Sequence, residues 1–218
     1  LFITKDQACS SLYEPNLNLA SSYFYAQNLA YEKTEKINVV SLDYLKDVEN
    51  LVSPDIIKID VQGAELQILK GANKFLNSVI AIQTEVEFDH VYKHQPLFAD
   101  ADSYLRQNGF DLININRVYL KEDKFEKYGF RGRLLWGDAI YFKRKELILD
   151  QLLESKKMET DLITILLVTS FFLNGDIGLS ILNNLLKISE NQFLLKLKEI
   201  IFAELDKIPE KEPLFKRI

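Results

Sequence analysis

The chain has 218 residues, of which 47% are hydrophobic and 27% charged, and its net charge is −5. These values are typical of one large globular domain or of a domain with an appendage. Basic residues are scattered among acidic ones along the chain. This charge pattern excludes a surface built to bind nucleic acid. Cys9 is the only cysteine, which excludes an intrachain disulfide framework and favours a reducing, cytoplasmic setting.

The chain opens LFITKDQA, with neither an initiator methionine nor a signal-peptide pattern, so we expect a fragment whose start lies upstream. LFIT (1–4) and INVVSL (37–42) predict strands separated by a loop-rich segment. IIKID (56–60) predicts a buried strand that leads into a helix over 63–77. Asp60 then stands at the strand's carboxyl end, the edge where open α/β sheets bind ligands.

A second acidic edge follows along the chain. VIAIQTEVEF (79–88) predicts a strand whose first half is almost entirely apolar, as in a strand covered on both faces. Its end carries Glu85 and Glu87. The next segment predicts a helix that starts at Pro96 and stops at Gly109, a left-handed cap.

Two further strands are predicted over 111–120 and 134–143, and the charged segment between them has no helical period. Such a short connection favours an antiparallel pair over a parallel crossover. The fold class predicted for this part is therefore an α/β sheet with a mixed edge.

The remainder of the chain carries only helical patterns. Asn174 and Gly175 give a stop signal, and Ser189 with Gln192 gives a start signal. The apolar run over 163–173 is shorter than the roughly 20 residues of a membrane span, so it predicts a helix buried inside protein. We expect these helices to pack on the sheet or to pair with another subunit.

Carboxylates at strand ends can act as general bases or bind a cation. The alternative is a structural role, in which Asp60 caps a helix and Glu65 is solvated. His90 and His94 would share one face of a helix, as metal ligands do, but an exposed loop is the commoner setting. No metal ligand is assigned. The sequence contains no G-x-G-x-x-G, GxxxxGK[ST] or G-x-S-x-G motif, so it shows neither a phosphate-cradling loop nor a hydrolase nucleophile elbow.

Taken in order, CSSLYEPN, IIKIDVQGAELQILKGA, IQTEVEFDHVYKHQPLFADADSYLRQNGFDL and LLWGDAIYFK resemble the FkbM-type S-adenosylmethionine-dependent methyltransferases. The resemblance implies a class I, Rossmann-like sheet that is mostly parallel with antiparallel last strands. It implies an incomplete methyltransferase domain over 1–143, because the family's Gly-rich cofactor loop is missing, and a helical extension over 144–218.

The resemblance also implies an O-methyltransferase that uses S-adenosylmethionine and acts on a hydroxyl of a sugar, polysaccharide or other small molecule. The implied roles are catalysis by Asp60 and Glu65; cofactor binding by Asp60, Val61 and Gln62; and acceptor binding by Ser10, Ser11, Tyr13, Glu85 and Glu87.

Two alternatives remain at this point. The chain could be a non-catalytic module that mediates assembly or binds a glycan, or the acidic edges could bind magnesium for phosphoryl chemistry, although no basic phosphate clamp accompanies them. If half of the sheet is absent, its exposed edge strand predicts either self-association or a covering tail.

Overall fold

The computed structural model describes residues 1–172, 174–189 and 191–207, apart from the side chains of Phe24 and Tyr25. The chain divides into two compact units, Leu1–Arg144 and Lys145–Ile218. The strands are β1 (Phe2–Thr4), β2 (Tyr31–Thr34), β3 (Ile56–Ile59), β4 (Ala81–Glu87), β5 (Phe110–Leu120) and β6 (Arg133–Lys143). The α-helices of the first unit are α1 (Leu17–Ala20), α2 (Leu42–Glu49), α3 (Glu65–Lys70), α4 (Asn73–Leu76) and α5 (Phe98–Gln107).

A four-stranded mixed sheet in the order β3-β4-β6-β5 organises the first unit. β3 and β4 are parallel, whereas β6 runs antiparallel to both β4 and β5. The predicted antiparallel pair and the mixed α/β architecture are therefore confirmed. The sheet packs on its helices through a core that includes Ile59, Leu69, Phe75, Ile82, Leu105 and Tyr141.

The predicted strand over 37–42 is wrong. Residues 37–41 have no regular structure, and Leu42 begins α2. The Ser41 hydroxyl caps this helix by accepting the N–H of Tyr44 at 3.1 Å. Val39 and Val40 are 70% and 59% exposed. The β-branched residues favour a strand but find no neighbouring strand here, since β1 pairs with β2 instead.

The helix predicted over 63–77 is divided into α3 and α4 at Gly71, a residue that weakens a helix. The helix predicted to start at Pro96 is present as α5, but it begins two residues later, at Phe98. Its stop signal is also confirmed, because Asn108 ends α5 and Gly109 follows at φ 86°. That left-handed conformation is one that glycine adopts without a Cβ clash.

β3 forms the edge of the sheet. Within the described part of the chain it pairs only with β4, so one row of its backbone groups faces no strand. A cavity of about 370 Å³ lies along β3, lined by Leu42, Ile57, Lys58, Ile59, Asp60, Val61 and Ile68. The edge that the sequence predicted to be exposed is therefore open among the described residues.

The second unit is helical, as predicted. It contains α6 (Lys145–Glu154), α7 (Met158–Phe171), α8 (Gly175–Ile188) and α9 (Gln192–Leu205). The core of this unit includes Ile148, Leu162, Ile181, Leu185 and Leu194. No described helix is long and apolar enough to cross a membrane.

Two details of the second unit differ from the sequence prediction. α9 is capped by Asn191, whose side chain accepts the N–H of Phe193 at 2.8 Å, rather than by Ser189. The apolar run over 163–173 is only partly buried within this unit, since Leu167 and Phe171 are 66% and 73% exposed. Residue 173 lies outside the described residues.

Candidate functional site

The loop over residues 60–63 turns the chain from β3 into α3. Gln62 and Gly63 both have positive φ, at 59° and 97°. Glycine adopts this conformation freely, whereas glutamine is strained in it. A strained residue that is held in place marks this loop as a candidate functional site.

Glu65 fixes the loop from the first turn of α3. Its Oε1 accepts the N–H of Val61 at 2.9 Å and the N–H of Gly63 at 3.2 Å. Glu65 is only 3% exposed, and burial raises the pKa of its carboxyl although the two backbone donors act in the opposite direction. Glu65 is thus buried and supports the loop. The alternative prediction, that its carboxylate is solvated, is wrong.

Gln62 connects the two acidic edges that the sequence predicts. Its Nε2 lies 3.1 Å from Asp60 Oδ1 and 3.3 Å from Glu85 Oε2, and it donates to both. The Tyr92 hydroxyl lies 2.7 Å from Gln62 Oε1 and can donate to it. The Ser11 hydroxyl donates to the Gln62 carbonyl at 2.6 Å. These contacts hold the strained residue in one orientation.

Glu85 and Glu87 end β4 inside the protein. Burial, followed by the nearby charges of Asp60 and Glu65, raises the pKa of Glu85 to about 8. Burial, followed by the charges of Glu65 and Glu85, raises the pKa of Glu87 to about 9. At neutral pH these carboxyls therefore hold protons.

One oxygen from each of Glu65, Glu85 and Glu87 lies within 4.8 Å of the others. Carboxylate oxygens are the ligands that hard divalent cations prefer. Among the residues that the structure describes, these three form the group that could hold a metal ion.

A cavity of about 500 Å³ lies beside this acidic group. Its lining is Ala8, Cys9, Asn28, Leu29, Gln62, Glu85, Glu87, Val91, Tyr92, Val118, Leu120 and Trp136. The wall is largely apolar and aromatic, and Gln62, Glu85 and Tyr92 add polar groups that contact one another, as in most small-molecule sites. The loop over 60–63 borders this cavity through Gln62 and the β3 cavity through Asp60 and Val61.

The structure brings some of the predicted site residues together and leaves others outside the larger cavity. Asp60, Val61, Gln62, Glu65, Glu85 and Glu87 come together around the loop. Ser10, Ser11 and Tyr13 do not appear in the described lining of the larger cavity, which takes Ala8 and Cys9 instead, although Ser11 reaches the loop through the Gln62 carbonyl. Ser10 accepts the N–H of Thr4 at 3.3 Å, and the Tyr13 hydroxyl pairs with Gln67.

His90 and His94 do not share a helix face. Both lie exposed in the loop after β4, and His94 has φ 59°. The helical arrangement that would make them a ligand pair is therefore wrong, and the loop alternative is confirmed.

Sequence reasoning missed Tyr92 and Trp136. Trp136 lies opposite Glu87 in the pairing of β4 with β6. The predicted strand over 134–143 already placed this aromatic residue near a strand end, which is the signal that could have found it. Tyr92 lies in a loop, and no periodicity in the sequence indicates its contact with Gln62.

The family model described as "Methyltransferase FkbM domain" matches residues 4–112, half of the chain. The match runs from β1 into β5 and includes the loop over 60–63, Glu85 and Glu87. Comparisons with curated proteins and with solved structures gave no match. With its family model covering the acidic site and half of its length, the chain belongs to the FkbM methyltransferase domain family.

Proposed function

We propose that the chain is an S-adenosylmethionine-dependent O-methyltransferase that acts on a hydroxyl of a sugar, polysaccharide or other small molecule. The observation that carries the proposal is the 500 Å³ cavity, because buried, proton-holding carboxyls stand in a largely apolar and aromatic wall. Such a wall suits a ring, and carboxyls suit the hydroxyls of that ring.

We also propose that the sheet is of the class I, Rossmann-like kind. A parallel pair of strands followed by an antiparallel pair is what the family resemblance implies, and β3 to β6 have this arrangement. The free edge of β3 is where further strands of such a sheet would pair.

S-Adenosylmethionine would supply an electrophilic methyl group on a positively charged sulfur. The residues that fit it are Asp60 and Val61, which line the β3 cavity, and Gln62, which follows them in the loop. That cavity is mainly apolar, which suits the adenine ring, and Asp60 gives it an exposed carboxylate for a cationic or hydroxyl group. The β3 cavity therefore suits S-adenosylmethionine both in its chemistry and in its position at the end of β3.

We assign the proton transfer to Glu85. From the sequence, Asp60 is the predicted proton acceptor, but Asp60 borders the β3 cavity whereas Glu85 lines the larger one. Glu85 in its ionised form takes the proton from the acceptor hydroxyl, and Gln62 orients it through the 3.3 Å hydrogen bond. Glu87 then holds a neighbouring hydroxyl, and Glu65 keeps the loop in place.

A non-catalytic glycan-binding module is the second candidate. It is favoured by the edge of β3 that pairs with no strand among the described residues, since a sheet edge of this kind can pair with another chain. Both candidates use the same acceptor cavity. They differ in whether the methyl group is transferred.

The experiment is transfer of a tritiated methyl group from S-adenosylmethionine to a panel of mono- and oligosaccharides. Wild-type protein is compared with Glu85→Gln and with Glu126→Gln, which changes an exposed glutamate. Loss of a general base predicts that kcat falls by about 100-fold in Glu85→Gln, with no change in the control. Glycan binding without any transfer would instead support the module.

A further inference from the structure

The tip of the β5–β6 hairpin, residues 117–133, carries a patch that the proposed function does not use. We call these residues the hairpin tip. Phe125, Tyr128 and Phe130 are 40%, 47% and 61% exposed there. Exposing three neighbouring aromatic rings to water is unfavourable, so their position on one surface loop needs an explanation.

The three rings form one cluster. Tyr128 and Phe130 are stacked with 5.6 Å between their centroids, and the ring of Phe125 lies 6.4 Å from each of them. Lys121 fixes the loop beneath, since its Nζ donates to the carbonyls of Glu126 and Tyr128. The aromatic cluster is therefore ordered before any partner arrives.

Basic side chains surround this cluster. The hairpin tip contains six basic and three acidic residues, whereas the whole chain has a net charge of −5. Arg133 is paired with Asp89 and Lys124 with Glu122. Lys127 and Arg131 instead lie over the rings of Tyr128 and Tyr119, and no ion pair involves either of them among the described residues. Their charges remain available to an anionic surface.

We propose that the hairpin tip docks onto a lipid bilayer that contains anionic phospholipids. Aromatic side chains are favoured at the level of the headgroups, where an apolar ring meets a wet boundary. Lysine and arginine extend their charged ends from such a position to the lipid phosphates. The exposed cluster with its basic rim has both features on one ordered loop.

The arrangement of the rings favours a bilayer over a glycan. A sugar ring stacks on a free, flat aromatic face. Here the faces of Phe125 and Tyr128 are approached by Lys124 at 4.9 Å and Lys127 at 5.3 Å, and Tyr128 also stacks on Phe130. Two of the three rings therefore already have a lysine over one face, which leaves a smaller platform for a sugar.

The test is cosedimentation of the full chain with vesicles, either pure phosphatidylcholine or phosphatidylcholine with 30% phosphatidylglycerol. The proposal predicts binding to the anionic vesicles that weakens as salt is added. The variant Phe125→Ser/Tyr128→Ser/Phe130→Ser should lose about tenfold or more in partitioning, since the apolar contact with the bilayer is removed. Lys127→Glu/Arg131→Glu should bind the anionic vesicles less than wild type does, and its partitioning to pure phosphatidylcholine should not change.

A matched control changes exposed apolar residues of the same unit outside the hairpin tip: Val39→Ser/Val40→Ser/Val52→Ser. This control should bind like wild type. The proposal is overturned if wild type does not bind anionic vesicles, or if the aromatic variant and the control bind equally. Retardation of wild type by a soluble acidic polysaccharide, lost in the aromatic variant without any vesicle binding, would assign the tip to a glycan instead.

Discussion

Glu85 and Glu87 end β4 in a place where a charged carboxylate is costly. Their pKa values of about 8 and about 9 have burial as the largest cause. Ionising both would also place two charges beside Glu65. The proton on these side chains is therefore part of the folded structure, and the stability of the fold should depend on pH.

Replacing Glu87 tests this dependence. A glutamate in the unfolded chain has a pKa of about 4.3, so between that value and the raised folded pKa the folded state binds a proton that the unfolded state releases. The unfolding free energy of wild type should therefore fall as pH rises from 5 to 8. Glu87→Gln cannot ionise, so its stability relative to wild type should increase by up to about 1.4 kcal/mol per pH unit.

Urea unfolding at several pH values measures this difference. The exposed replacement Glu126→Gln should follow the wild-type curve. Parallel curves for wild type and Glu87→Gln would show that Glu87 is ionised in the folded protein.

Glu85 should also set the pH dependence of methyl transfer. As the proposed base it works only when ionised, so kcat should rise with pH and reach half of its maximum near the pKa of about 8. Initial rates between pH 6 and 9.5 measure the profile. A rate that is flat over this range would remove Glu85 from the proton transfer.

Cys9 reports on the larger cavity because it is the only cysteine and lies in the lining. Burial raises its pKa, and the charges of Asp6 and Glu85 raise it further. Alkylation by iodoacetamide should therefore need a higher pH than a free thiol does. In Glu85→Gln the midpoint of the rate profile should fall, because one negative charge that raises the pKa of Cys9 is lost. An unchanged midpoint would place Glu85 away from Cys9.

At the scale of elements, hydrophobic period and turn chemistry predicted most of the first unit. β3, β4, α5 and the β5–β6 pair follow from apolar runs and from Pro96 and Gly109. The segment over 37–41 was predicted wrongly because its β-branched residues describe a strand only when a neighbouring strand exists. Pairing partners distant in the sequence are not visible in a local pattern.

The same limit applies to the candidate site. Asp60, Glu65, Glu85 and Glu87 could be found because strand ends meet at one edge of a sheet. The role of Glu65 could not, since it depends on the backbone conformation of residues 61–63. Tyr92 reaches Gln62 from 30 residues away, a contact that only the tertiary structure defines.

The start of α2 gives a test at this scale. Ser41→Ala removes the side chain that accepts the Tyr44 N–H, so the first unit should lose about 1 kcal/mol of unfolding free energy. Ser41→Asp keeps an acceptor at the N-cap and should retain most of the stability. Urea unfolding of the two variants distinguishes loss of the cap from any other effect of replacing Ser41. Equal losses of unfolding free energy in both variants would contradict the capping role.

At the scale of the whole molecule, the open edge of β3 stands next to the residues proposed to hold the cofactor. The two units each have a core of their own, and the acidic site lies entirely in the first. The account therefore places the cofactor beside Asp60 and the acceptor beside Glu85, at one loop where the Gln62 side chain contacts both carboxyls.

The most direct test of this central claim is calorimetric titration of S-adenosylhomocysteine into the chain. The account predicts saturable binding that is weakened several-fold by Asp60→Ala, because that carboxylate borders the proposed cofactor cavity, and is unchanged by Asp123→Ala in the hairpin tip. Equal affinity in wild type and Asp60→Ala, or no binding heat in either, would contradict a cofactor site at the end of β3.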